Sequence, residues 1–110
     1  MRKGVTIAEV FEHKGKLCVI LFYNRFVPKG YHNGYVEITE KTWKNVTGSD
    51  IYNFYLSEEV TFYGTLDEFP NIKFLGFDTV HYCDKPHTQN LNAVRNRTIK
   101  FCEMVKKQRL

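Results

Sequence analysis

Asp78, Thr79, His81, Cys83, Asp84 and His87 crowd into one short stretch of the chain, and each is a residue type that chemistry uses. His81 with Asp78 or Asp84 has the makings of a general-base pair, because imidazole titrates near neutrality and a carboxylate can fix its tautomer. His81-x-x-Asp84-x-x-His87, with Cys83 inside it, also carries enough donor atoms for a first-row metal. The spacing matches no closed metal site, however, and Pro86 is an unusual scaffold for one, so no metal or other cofactor is expected. No serine or cysteine sits in a recognised nucleophile elbow, and Cys83 has no activating pattern around it. A hydrolase built on His81 and a carboxylate therefore ranks behind a pocket that recognises a polar ligand.

These groups must be held by something, and the residues before them are strand-like. Ile72, Phe74, Leu75 and Phe77 surround Gly76, and a period of two puts Leu75, Phe77, Thr79 and His81 on one face and Phe74, Gly76, Asp78 and Val80 on the other. Asp78 and His81 are thereby separated unless Gly76 forms a bulge. Upstream, Val5 to His13 and Leu17 to Phe26 read as a β-hairpin over 5–26, closed by Lys14-Gly15-Lys16. The run Leu17 to Tyr23 is apolar at successive positions, as a strand covered on both faces must be, whereas Glu9 and Glu12 suit the first strand to an edge.

Val27 to Asn33 reads as a loop, and further strands are expected near 34–39, 59–66 and 72–82, with Val36 and Ile38 facing in and Tyr35 facing out. Glu40 to Glu59 shows no strong period; an excursion of that length in a small domain tends to be functional. Thr88 or Asn90 can cap a helix over about 90–107, with Leu91, Val94, Thr98, Phe101, Cys102 and Val105 on one stripe. Arg95 flanks one side of that stripe and Arg97 the other. The expected fold is a single α+β domain over 1–110: a mainly antiparallel sheet of about five strands with one C-terminal amphipathic helix packed on a face.

Composition narrows the partners. A chain of 110 residues with 43% hydrophobic and 25% charged residues has the balance of one globular core. Its net charge of +4 suits an anionic partner, but no block of basic residues marks a polymeric nucleic-acid arm. Three cysteines without a CxxC pair indicate neither a disulfide framework nor a zinc knuckle, so a reducing compartment is expected. The start of the chain becomes charged at Glu9 before a secretory core could form, and no apolar run approaches a membrane span. Aromatic side chains, including Tyr31, Tyr35, Trp43, Tyr63 and Tyr82, are abundant enough to stack on bases as well as to fill a core.

Gly34-Tyr35-Val36, Tyr63-Gly64-Thr65 and the run Gly76-Phe77-Asp78-x-x-His81-x-x-Asp84, followed by a short terminal helix, resemble a widespread family of small tailed-phage proteins. The resemblance covers roughly residues 30 to 107, and its specific part is the Gly-Phe-Asp-x-x-His-x-x-Asp signature. Many members carry a His-Gly-Gly run where this chain has Thr61-Phe62-Tyr63-Gly64. The resemblance extends to the phage anti-CBASS sponge proteins, which form oligomers that sequester cyclic dinucleotide signals such as 3′3′-cGAMP without cleaving them. It implies a non-enzymatic binder in the cytoplasm of an infected bacterial host, acting as a homo-oligomer, dimer or tetramer. On that reading Tyr35, Trp43 or Tyr63 stacks on a base, and Asp78 or Asp84 accepts from a guanine edge. Thr79 and His81 add hydrogen bonds, while Arg25, Lys29, Arg95 or Arg97 meets the phosphates. A protein-binding inhibitor using Glu40 to Glu59 is the remaining alternative.

Overall fold

The computed structural model describes residues 3–24, 29–45, 56–80 and 90–110. Five strands, β1 (Val5–His13), β2 (Lys16–Tyr23), β3 (Tyr31–Glu37), β4 (Phe62–Leu66) and β5 (Phe69–Phe77), form one antiparallel sheet in the order β1-β2-β3-β5-β4. Helix α1 (Glu40–Asn45) follows β3, and α2 (Leu91–Lys107) packs across β1, β2 and β3. This is the α+β arrangement expected, with β1 at an edge. No helix among the described residues is long and apolar enough to cross a membrane.

The β1–β2 hairpin turns through Lys14 and Gly15, whose φ angles of 50° and 83° are both positive. Two successive left-handed residues make the turn that matches strand twist, and glycine supplies the second at no steric cost. In β2, alternate side chains enter different cores. Cys18 and Ile20 join Val36, Leu75 and Phe77 beneath Val94, Phe101, Cys102 and Val105 of α2. Val19, Leu21 and Tyr23 join Tyr31, Tyr35, Leu66 and Phe74 on the opposite face.

A bulge at Ala8 shifts the β1 register between Ile7 and Glu9. Ile7 and Val10 therefore share the face away from α2, while Glu9, opposite Ile20, turns towards the helix.

Three sequence expectations change. Tyr31, His32 and Asn33 belong to β3, not to a loop, because they continue its ladder against Tyr23, Phe22 and Leu21. Glu40 to Asn45 is helical, capped by the Thr39 hydroxyl, which accepts from the Thr42 amide at 3.1 Å. The strand expected near 72–82 is β5, which starts at Phe69 after a turn of Asp67 and Glu68, holds Pro70 inside it, and ends at Phe77. The β3–β5 ladder runs from Phe74 to Phe77, which leaves Pro70 away from it and its missing N–H harmless there.

α2 starts where the Asn90 carboxamide accepts from the Ala93 amide at 2.9 Å. It ends with Arg109 in the left-handed region at φ 59°, the Arg109 amide donating to Lys106 and the Leu110 amide to Val105, both at 3.0 Å. That paired closure satisfies carbonyls at the helix end and folds buried Leu110 back into the core. The Leu110 carbonyl in turn accepts from the Thr39 amide and the Thr42 hydroxyl, tying α1 to the end of α2.

β3 and β5 meet through two crossed glycine–aromatic pairs. Gly34 lies opposite Phe77 and Tyr35 opposite Gly76. A Cβ on Gly34 would fall 2.2 Å from the Thr98 hydroxyl and 2.8 Å from the Phe77 ring; one on Gly76 would fall 2.4 Å from the Tyr35 ring. Each ring is buried and cannot withdraw, so Gly34→Ala and Gly76→Ala should each destabilise the fold by about 1–3 kcal/mol, read as lowered urea midpoints.

Lys16 sits half-buried at the end of the hairpin, its ammonium donating to the Glu37 carbonyl at 2.9 Å, and burial lowers its pKa. Between that lowered value and the ordinary 10.5, the unfolded chain still holds a proton that the folded chain has lost. Stability from this group therefore rises with pH across that window. Urea midpoints measured at about pH 8 and about pH 10 should show wild type gaining on Lys16→Met at the higher pH.

Candidate binding site

Half-buried aromatic and cationic side chains gather where α1 meets the β4 edge. Trp43, the single tryptophan of the chain, packs its ring 4.8 Å from that of Tyr63 with the planes inclined by 32°. Lys73 places its ammonium 4.6 Å from the centre of the Trp43 ring. The Tyr63 hydroxyl donates to the Trp43 carbonyl at 3.2 Å, and burial holds the phenol pKa above its usual value. Strand geometry explains the meeting: Tyr63 lies opposite Leu75, and Lys73 is two residues from Leu75 on the same face. A cation against an indole gains roughly 0.5–1 kcal/mol where water has access. The same arrangement offers an aromatic plane and a positive charge to one planar anion.

Both arginines of α2 are engaged with carboxylates. Arg95 donates through Nε to both Glu9 oxygens, at 2.7 and 2.9 Å, and through Nη1 to Asn92 at 2.7 Å. The guanidinium holds the Glu9 carboxyl below its ordinary range. On the other flank Arg97 grips Glu58 with two bonds of 2.7 Å, from Nε and Nη2, and its guanidinium carbon stands 5.5 Å from the centre of the Phe77 ring. The sequence expectation put these arginines on phosphates; in the folded chain each has an acidic partner in contact.

Other expected site residues take structural places. Tyr35 is 3% exposed, on the face away from α2, with its hydroxyl 2.5 Å from that of Tyr23 and its ring edge-on to Phe62. It was expected to face outwards; instead the second face of the sheet is packed as well. Thr79 is fully buried, its hydroxyl donating to the His32 carbonyl at 2.7 Å and its amide to Asn33 at 3.2 Å. Asp78 is half-buried, and its amide donates to the Thr61 hydroxyl at 3.0 Å. Lys29 is exposed before β3. Arg25, His81 and Asp84 lie outside the described residues.

Of the expected set, the fold therefore brings Trp43 and Tyr63 together and sets Arg95 and Arg97 on opposite flanks of α2. Sequence reasoning missed Lys73 and Glu58. Lys73 was legible in principle, since it stands two residues before Leu75 on the face that carries Phe77, but its target ring arrives from α1. Cys18 and Cys102 are buried together, and burial pushes both thiols up, away from thiolate chemistry at neutral pH.

Set against protein families, characterised proteins and solved structures, the chain matches none. Its own residues define an antiparallel α+β fold with an aromatic and cationic corner beside one sheet edge. Tyr63→Phe should lower stability by about 0.5–1.5 kcal/mol through loss of one hydrogen bond. Because Trp43 is alone of its kind, its fluorescence reports this corner directly, and the same variant should alter the emission without a change in far-UV circular dichroism.

Proposed function

We propose that this protein is a non-catalytic binder that sequesters a cyclic dinucleotide, such as 3′3′-cGAMP, and so antagonises CBASS defence in a phage-infected bacterial cytoplasm. The observation that carries the reading is the convergence of Lys73 and Tyr63 on Trp43. Base stacking on an aromatic ring contributes about 1–3 kcal/mol, and an ammonium beside the ring answers the charge of a phosphodiester. The ligand class comes from the resemblance of Gly76-Phe77-Asp78-x-x-His81-x-x-Asp84 to the phage sponge proteins, and the net charge of +4 is compatible with it. A cyclic dinucleotide has two nucleotide halves, so a two-fold oligomer could offer each half the same residues from one protomer.

Incubating the protein with a panel of cyclic oligonucleotides, measuring the ligand left in the filtrate and chromatographing what denaturation releases tests the reading directly. Depletion with intact recovery is expected. Altered product would identify a hydrolase instead, and an undepleted panel would overturn the nucleotide reading. Trp43→Ala should weaken binding by about 5- to 150-fold, the loss of one stacked base, and ligand should quench Trp43 emission in the wild type.

A further inference from the structure

Arg95 and Arg97 make similar contacts with very different supports. Glu9, the partner of Arg95, is a strand residue of β1, aimed at the helix by the bulge at Ala8. Glu58, the partner of Arg97, follows Ser57, which adopts a left-handed backbone at φ 71°. That conformation is uncommon for a residue with a Cβ and marks a locally strained turn. The Ser57 hydroxyl is also buried, with no hydrogen-bond partner among the described residues. The turn that delivers Glu58 is thus held in an uncommon backbone conformation.

The contact it delivers is the two-pronged grip by which a guanidinium takes a carboxylate or a phosphate with the same geometry. Both side chains are mostly sheltered, at 20% exposure for Arg97 and 18% for Glu58, and Phe77 backs the guanidinium. Phe77 belongs to the strand that also carries Lys73 on the same face, four residues earlier, or about 13 Å away along an extended strand.

We infer that Glu58 is an internal stand-in for a phosphate group: it occupies Arg97 until a phosphate-bearing ligand displaces it, and its departure lets the Ser57 turn relax. The inference deepens the reading above and rests on it for the ligand class. Arg97 then forms a phosphate subsite separate from the Trp43 corner, closed by a carboxylate on a strained turn. Arg95 has no such role, because Glu9 is fixed in the sheet.

Pyrophosphate is the probe, titrated calorimetrically into the wild type, Glu58→Gln, Ser57→Gly and the double variant Glu58→Gln/Arg97→Ala. Glu58→Gln should bind it about tenfold or more tightly than wild type, since a neutral amide competes poorly for a guanidinium. Ser57→Gly, which accepts the positive φ and removes the stranded hydroxyl, should strengthen the latch and weaken binding severalfold. The double variant should lose the gain. Matching circular dichroism and cooperative melting of all four proteins establish that the comparison is between folded chains. A folded Glu58→Gln that binds pyrophosphate no better than wild type, or a gain that survives Arg97→Ala, overturns the latch. An Arg97-dependent gain alongside an undepleted cyclic oligonucleotide panel leaves the latch standing and removes only the cyclic dinucleotide.

Discussion

Where β3 and β5 run side by side, Phe77 lies over Gly34 on the helix face and Tyr35 over Gly76 on the other. Each glycine makes room for the ring across from it, so the two strands exchange bulk in both directions and neither can be replaced alone. Thr98 of α2 approaches Gly34 from above, its hydroxyl donating to the Val94 carbonyl at 2.7 Å. The helix can sit this low on the sheet only because no side chain rises from β3 at that point. The depth at which α2 docks in turn sets what its flanks can reach.

Those flanks explain the distribution of charge. Arg95 leans over the β1 side and Arg97 over the side of Glu58, each ending on an acid. On the β1 side the bulge at Ala8 is the enabling device, since without it Glu9 would share the face of Ile7 and point away from the helix. Glu103 plays a comparable part at the far end of α2, where it meets both His13 and Lys14 at 3.1 Å and its carboxyl is held below its ordinary range. The Lys106 ammonium donates to the Lys14 carbonyl nearby, so the hairpin turn and the last turn of the helix brace one another. Exposed ion pairs of this kind add little stability singly. Their consequence here is orientation.

The aromatic corner depends on a different chain of contacts. α1 is short, and its first turn is held twice: by the Thr39 cap and by the Leu110 carbonyl, which Thr39 and Thr42 share. Trp43 rides on that helix, with its carbonyl taken by Tyr63 of β4. The position of the indole is therefore set by the C-terminal turn of α2 and by the sheet edge together. A corner built this way is preorganised by elements distant in sequence, the condition under which a few aromatic and charged groups can give useful affinity.

Sequence by itself determined the strands of the sheet and the long helix, but not α1. The unbroken apolar run Leu17 to Tyr23 marked a strand packed on both sides, glycine at position 15 marked the hairpin, and the stripe through Val94, Thr98, Phe101, Cys102 and Val105 together with Asn90 marked a capped helix on the sheet. These signals are local, because side-chain period and capping are properties of neighbouring residues. Tertiary structure decided which face of β3 was left to solvent, and the answer for Tyr35 was neither. It also decided which arginine met which acid: Arg97 and Glu58 are 39 residues apart, Arg95 and Glu9 are 86 apart, and no period links them. Asp78, Thr79 and His81 attracted attention as adjacent polar groups, yet Thr79 is spent on the β3 backbone, while Lys73, unremarkable in the sequence, stands over Trp43. The physical reason is that a site is defined by which surfaces dock, and docking is settled by the packing of whole elements, here by the space that Gly34 and Gly76 leave for two rings.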